Sequence, residues 1–72
     1  MIELKLQGSV QYISKGYYEV LCKTEKNNYE IVKIQGHCPY AMEQCVTLDC
    51  TVLGVEIIGE YYELIAKEKR AV

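Results

Sequence analysis

Residues 2–13 read IELKLQGSVQYI, and their alternation decides the class of the fold. Ile2, Leu4, Leu6, Val10 and Tyr12 are apolar at every second place, while Glu3, Lys5, Gln7, Ser9 and Gln11 fill the places between. A period of two over this length is the pattern of a strand with one face toward a core. Gly8 falls in the middle, where a long strand can bend or carry a bulge. Ser14-Lys15-Gly16 follows as a tight turn, with glycine free to take a positive φ.

Further strands follow at short intervals. Residues 17–25 (YYEVLCKTE) predict a second strand and 29–35 (YEIVKIQ) a third, with Asn27-Asn28 as the hairpin turn between them. Pro39 opens PYAMEQ, which lacks β-branched residues and suits one short helical turn between strands three and four. Val46, Leu48, Cys50 and Val52 then alternate with Thr47, Asp49 and Thr51, predicting a fourth strand over 45–58 with Gly54 as a second bend. Gly59-Glu60 is a turn, and 61–67 (YYELIAK) a fifth strand. The stretch EYYELIAKEKR also has the spacing of an amphipathic helix, but a four-stranded sheet would leave a large edge unpaired.

The expected class is all-β, one small five-stranded barrel domain over 1–72. A Gly-x-Val in the first strand (Gly8-Ser9-Val10) and an aromatic-x-Val in the second (Tyr18-Glu19-Val20) sit within this order of parts. The layout resembles the OB-fold, in particular its S1-like, initiation factor one-like group. That resemblance implies a barrel closed by a first strand that serves two neighbours, with a ligand face on strands two and three. It would also imply RNA binding through a basic segment after the third strand, yet residues 37–45 (HCPYAMEQC) hold no Lys or Arg. An SH3-like barrel is the alternative fold, as a meander of five short strands.

Charge narrows the function. Eight basic and ten acidic side chains give a net charge of −2, and Lys67, Lys69 and Arg70 are gathered near the C-terminus. Nucleic-acid binders draw much of their affinity from phosphate contacts and need a positive surface. The body of this chain has none in its composition, so a protein partner or a homo-oligomer fits better. No apolar run approaches the ~20 residues of a membrane helix. Glu3 and Lys5 interrupt the stretch where an export signal would be continuously apolar, so the expectation is a cytoplasmic chain without membrane contact.

Four cysteines (Cys22, Cys38, Cys45 and Cys50) lack knuckle spacing, and the expectation is buried thiols with no metal and no cofactor. A metal-stapled fold using Cys38, Cys45, Cys50 and either His37 or Cys22 is a third possibility for this chain. Phosphate-loop, nucleophile-elbow and zinc-protease motifs are absent from the sequence, and no enzyme is expected.

Seven tyrosines and no Phe or Trp are the better clue. A buried phenol needs a partner for its hydroxyl, so a chain that uses only Tyr is expected to keep rings at its boundary. The doublets Tyr17-Tyr18 and Tyr61-Tyr62 predict one ring inside and one outside each. An even-numbered loop at Asn27-Asn28 would turn Tyr18, Val20, Cys22, Tyr29 and Ile31 inward. It would turn Tyr17, Glu19, Leu21, Lys23, Glu30, Val32 and Ile34 outward. The expected binding residues are therefore Tyr17, Leu21, Val32, Ile34, Tyr40 and Tyr61. They describe a binding module acting by protein contacts, as an assembly subunit or a small inhibitor of a larger complex such as a phage or mobile element encodes. Single-stranded nucleic-acid binding, with tyrosines as stacking platforms, is the alternative.

Overall fold

The structure is a computed structural model and describes residues 2–23 and 28–69. Five strands account for most of it: β1 (Ile2–Ser14), β2 (Tyr17–Lys23), β3 (Tyr29–Gln35), β4 (Cys45–Ile58) and β5 (Tyr61–Glu68). They close in the order β1-β2-β3-β5-β4, with β4 returning to β1. All neighbours are antiparallel except β3 and β5, which run parallel. This closed five-stranded barrel is compatible with an OB-like fold. It is not the meander of the SH3-like alternative, because β3 lies beside β5 rather than β4.

Closure depends on the two long strands. β1 pairs with β4 from Ile2 to Ser9 and with β2 from Gly8 to Ser14, so Gly8 and Ser9 have a strand on both sides. The backbone comes very close there: a Cβ at position 8 would sit 2.2 Å from the Leu21 carbonyl oxygen. Only glycine allows that approach. β4 divides in the same way, pairing with β1 up to Val52 and with β5 from Cys50 onward.

Each long strand also carries an irregularity. The β1–β2 register shifts between Val10 and Tyr12, and the β4–β5 register between Val52 and Gly54. An extra residue in one strand reverses which side its later residues face. Tyr12 accordingly lies opposite outward-facing Glu19 and is exposed, rather than joining Leu6 and Val10 inside as strict alternation from residue 2 predicts.

The core holds Leu6, Val10, Tyr18, Val20, Cys22, Val32, Ile34, Val46, Leu48, Cys50 and Ala66, with Leu4, Cys38, Tyr40 and Leu64 packed against it. Each fully buried aliphatic side chain contributes about 1.5–3 kcal/mol relative to exposure. Val32 and Ile34 belong to this core, at 3% and 0% exposure, and so correct the outward placement expected of them. The reason is register. Val20 pairs with Val32 and Cys22 with Glu30, so even-numbered residues of β2 share a face with even-numbered residues of β3. Five residues, an odd number, separate the two strands. The expected Asn27-Asn28 turn lies partly outside the described residues, as do residues 24 and 25 of the expected second strand.

Short turns make the remaining connections. Ser14 faces Tyr17 across Lys15-Gly16, where Gly16 has a φ of 84°. Ile58 faces Tyr61 across Gly59-Glu60, where Gly59 has a φ of 60°. Gly59, at the first central position, fits the type II′ preference, whose twist matches that of the strands, whereas Gly16, at the second, takes the positive φ that this place requires in a type II turn. The expected helical turn at PYAMEQ is instead a tight turn closed by the Gln44 amide donating to the Ala41 carbonyl at 3.1 Å. Glu43, with a φ of 67°, takes the left-handed position in it. The backbone on both sides of this turn is claimed by β1: the Glu43 amide donates to the Val10 carbonyl, and the Val10 amide to the Gln44 carbonyl. No helix forms among the described residues, and so none is long and apolar enough to cross a membrane.

Candidate functional site

In β2 and β3 the outward row is the odd-numbered one: Tyr17, Glu19, Leu21 and Lys23 on β2, then Tyr29, Ile31, Lys33 and Gln35 on β3. Leu21 and Ile31 lie directly opposite each other, the first half-buried and the second exposed. Alternation along β5 continues the face with Tyr61, Glu63 and Ile65, and Glu56 stands opposite Glu63 on β4. The surface therefore has charges at its centre and apolar groups at either end.

The centre is a cluster of three glutamates around one lysine. Lys33 Nζ lies 3.3 Å from Glu56 Oε2 and 4.6 Å from the centroid of the Tyr17 ring. The hydrogen bond to Glu56 raises the Lys33 pKa and keeps the ammonium charged. Glu63 lies beside Glu19, and burial followed by that second carboxyl pushes its pKa above the ordinary carboxylate range. Two neighbouring carboxyls hydrogen-bond only when one is protonated; with both ionised, Glu63 Oε1 is buried and has no partner. Lys33 relieves the repulsion only in part.

At one end, the Tyr12 and Tyr17 rings meet at a 40° tilt with centroids 5.9 Å apart. At the other end β3 and β5 separate. Their ladder runs from Val32 opposite Leu64 to Gln35 opposite Lys67, and stops there. Before it, Tyr29–Ile31 and Tyr61–Glu63 diverge around a groove of about 410 Å³ lined by Tyr29, Glu30, Ile31, Glu60, Tyr61, Tyr62, Glu63 and Leu64. Three of these are carboxylates and none is basic.

The β4–β5 hairpin extends past this end of the barrel. The residues whose alternation would turn them toward the core are covered by none of the described residues there. Ile57 is 79% exposed and Tyr62, opposite it, 67%. Tyr61 is 69% exposed, so both rings of this doublet are outside, against the expectation of one in and one out. The Tyr17-Tyr18 doublet divides as expected, with Tyr18 in the core. Leu53, Val55 and Ile58 add to an apolar tip that a solvated hairpin does not require.

Of the residues expected to bind, Tyr17, Leu21 and Tyr61 therefore lie on the outward surface, while Val32 and Ile34 lie behind it in the core. Tyr40 sits elsewhere, at the barrel end near Glu68, where its hydroxyl donates to Glu68 Oε2 at 2.8 Å and its ring meets the Tyr18 ring edge-on at 6.0 Å. Tyr29, Ile31, Ile57 and Tyr62 were not among the expected binding residues. The glycine turn at residue 59, with bulky apolar groups on both sides of it, was the available signal for the hairpin tip.

The cysteines occupy different environments. Cys22 and Cys50 are buried, Cys38 is half-buried and Cys45 is exposed, all as free thiols. Burial, with Glu68 nearby, pushes the Cys50 thiol up to about 11. Cys45 and Cys50 point to opposite faces of β4, so the metal-stapled arrangement that joins them has no common centre. No group of three potential metal ligands occurs among the described residues. No protein-family model, curated protein or solved structure matches this chain.

Proposed function

We propose that this chain is a non-enzymatic binding module that acts by docking another protein, as a subunit of a larger assembly or a small inhibitor of one. The observation that carries this reading is the uncovered apolar surface running from Leu21 and Ile31 to the β4–β5 hairpin tip, at Ile57, Tyr61 and Tyr62. Exposed side chains of this size gathered at one end of a small barrel lose little on binding and gain about 25 cal/mol per Å² of apolar area removed from water. Tyrosine suits such a contact because its ring supplies area while its hydroxyl tolerates water before the partner arrives.

A second reading follows from the OB-like barrel and from the three tyrosine rings around the groove, which resemble stacking platforms for bases. The S1-like likeness of the chain belongs to this reading. Charge opposes it. Glu30, Glu60 and Glu63 would face a phosphodiester backbone with no basic residue lining the groove among the described residues.

Affinity capture from the native host separates the two. A specific protein should co-purify with the wild-type chain and be lost with Ile57→Asp/Tyr61→Asp, whose thermal unfolding should remain close to wild type because both side chains are exposed. Capture of the same proteins by both chains, with a single-stranded oligonucleotide binding the wild type at low salt, would overturn the protein-docking reading.

A further inference from the structure

We propose that the groove between the start of β3 and the start of β5 binds an extended, lysine- or arginine-bearing segment of a partner protein by strand addition. This rests on the protein-docking reading above and names the chemistry of its partner.

The argument begins with backbone. A closed barrel uses its strand edges internally, which is how such folds avoid edge-to-edge pairing. Here closure is incomplete on one side. β3 pairs with β2 along its whole length, from Tyr29 opposite Lys23 to Gln35 opposite Tyr17. β5 likewise pairs with β4 from Tyr61 onward. Between β3 and β5, however, the ladder begins only at Val32 and Leu64. Among the described residues, Tyr29–Ile31 and Tyr61–Glu63 therefore each present an edge to the groove without a strand on it. An extended peptide that pairs with the Tyr29–Ile31 edge prolongs the sheet, and its alternate side chains reach opposite sides of it.

Side chains then select the peptide. Tyr29, Ile31, Tyr61, Tyr62 and Leu64 offer apolar contact on the groove walls, and Glu30, Glu60 and Glu63 supply three carboxylates. Glu63 is the most demanding of them. It stands beside Glu19 and opposite Glu56, and Lys33 offsets these charges only in part. An arriving ammonium or guanidinium brings the opposite charge to these carboxylates. A second copy of the chain fits less well. Two such grooves meeting would bring the same carboxylates face to face, whereas a basic segment brings the opposite charge.

Selection of displayed random peptides against the full-length chain tests the proposal. Selected peptides should alternate apolar residues with Lys or Arg. Bound to the isotope-labelled protein, they should shift the amides of Tyr29–Ile31 and Tyr61–Glu63 above all others. Glu30→Lys/Glu60→Lys, which alters only exposed side chains, should weaken the selected peptides at least tenfold while leaving the unfolding midpoint near wild type. Replacing every Lys and Arg of a selected peptide by Glu should abolish binding. Acidic or patternless peptides, or shifts confined to another part of the barrel, would overturn the strand-addition site and leave a protein-docking module standing. Failure to select any peptide would overturn this proposal too, while host capture decides the broader reading independently.

Discussion

Tyr40 and Tyr18, 22 positions apart in the chain, donate their hydroxyls to the two oxygens of one carboxylate, Glu68, at 2.8 and 3.2 Å. The arrangement joins the loop after β3 to the end of β5 across the mouth of the barrel. Burial and the adjacent carboxylate hold the Tyr18 hydroxyl well above the ordinary phenol range. Hydrogen bonds to a charged acceptor contribute about 1.5–3 kcal/mol each. Tyr40→Phe should therefore cost roughly 1–2 kcal/mol, and Glu68→Ala more, because it leaves the Tyr18 hydroxyl buried without its acceptor. Urea unfolding of both variants checks the order; a Glu68→Ala chain as stable as wild type would contradict it.

Facing residues of β2 and β3 separate core from surface. Ile34→Ala should destabilise by about 2–4 kcal/mol through lost burial and the cavity left behind. Ile31→Ala, three positions away on the outward row, should cost less than about 1 kcal/mol. Equal losses in a chemical-unfolding comparison would show that the two rows had been exchanged.

Glu63 makes stability depend on pH in a definite sense. Its folded pKa is raised, so the ionised form is disfavoured by folding, and the group costs stability above that pKa. The penalty disappears as pH falls through the raised folded value toward the unfolded one near ~4.3. Glu63→Gln should accordingly stabilise the chain at neutral pH, with the advantage shrinking on acidification through that window. Glu19, Glu56 and Lys33 face the same group, so the comparison is best made in a background where they are retained. A Gln variant less stable than wild type at neutral pH would show that the cluster favours the charged form.

Thiol reactivity should sort by position on β4. Reaction needs an accessible thiolate, so Cys45 should label rapidly under native conditions. Cys50, buried and with its pKa pushed up to about 11, should label only as the barrel opens, together with buried Cys22. Mass spectrometry of a timed alkylation distinguishes them. Early modification of Cys50 would mean that the β1–β4 seam opens without global unfolding.

Local pattern carried much of the fold. Period-two alternation, the turns at Gly16 and Gly59, and the glycine within β1 locate all five strands, because each depends on residues close in sequence. The faces of β3 were not legible in the same way. Whether Val32 and Ile34 point in or out depends on whether the loop before them has an odd or even number of residues, and two asparagines do not decide that. The register shift after Val52 falls at Gly54, where a bend was expected, but the one after Val10 is silent, since a strand accommodates an extra residue without changing its composition. The candidate groove was the least visible feature. It arises where a parallel pairing begins three residues late, a property of how β3 and β5 meet rather than of either segment.

The order of closure also bears on how the chain is made. Because β5 fills the gap between β3 and β4, a ribosome must have synthesised β5 before Ala66 can take its place beside Ile34. Until then the nascent barrel is an open sheet with one apolar face uncovered.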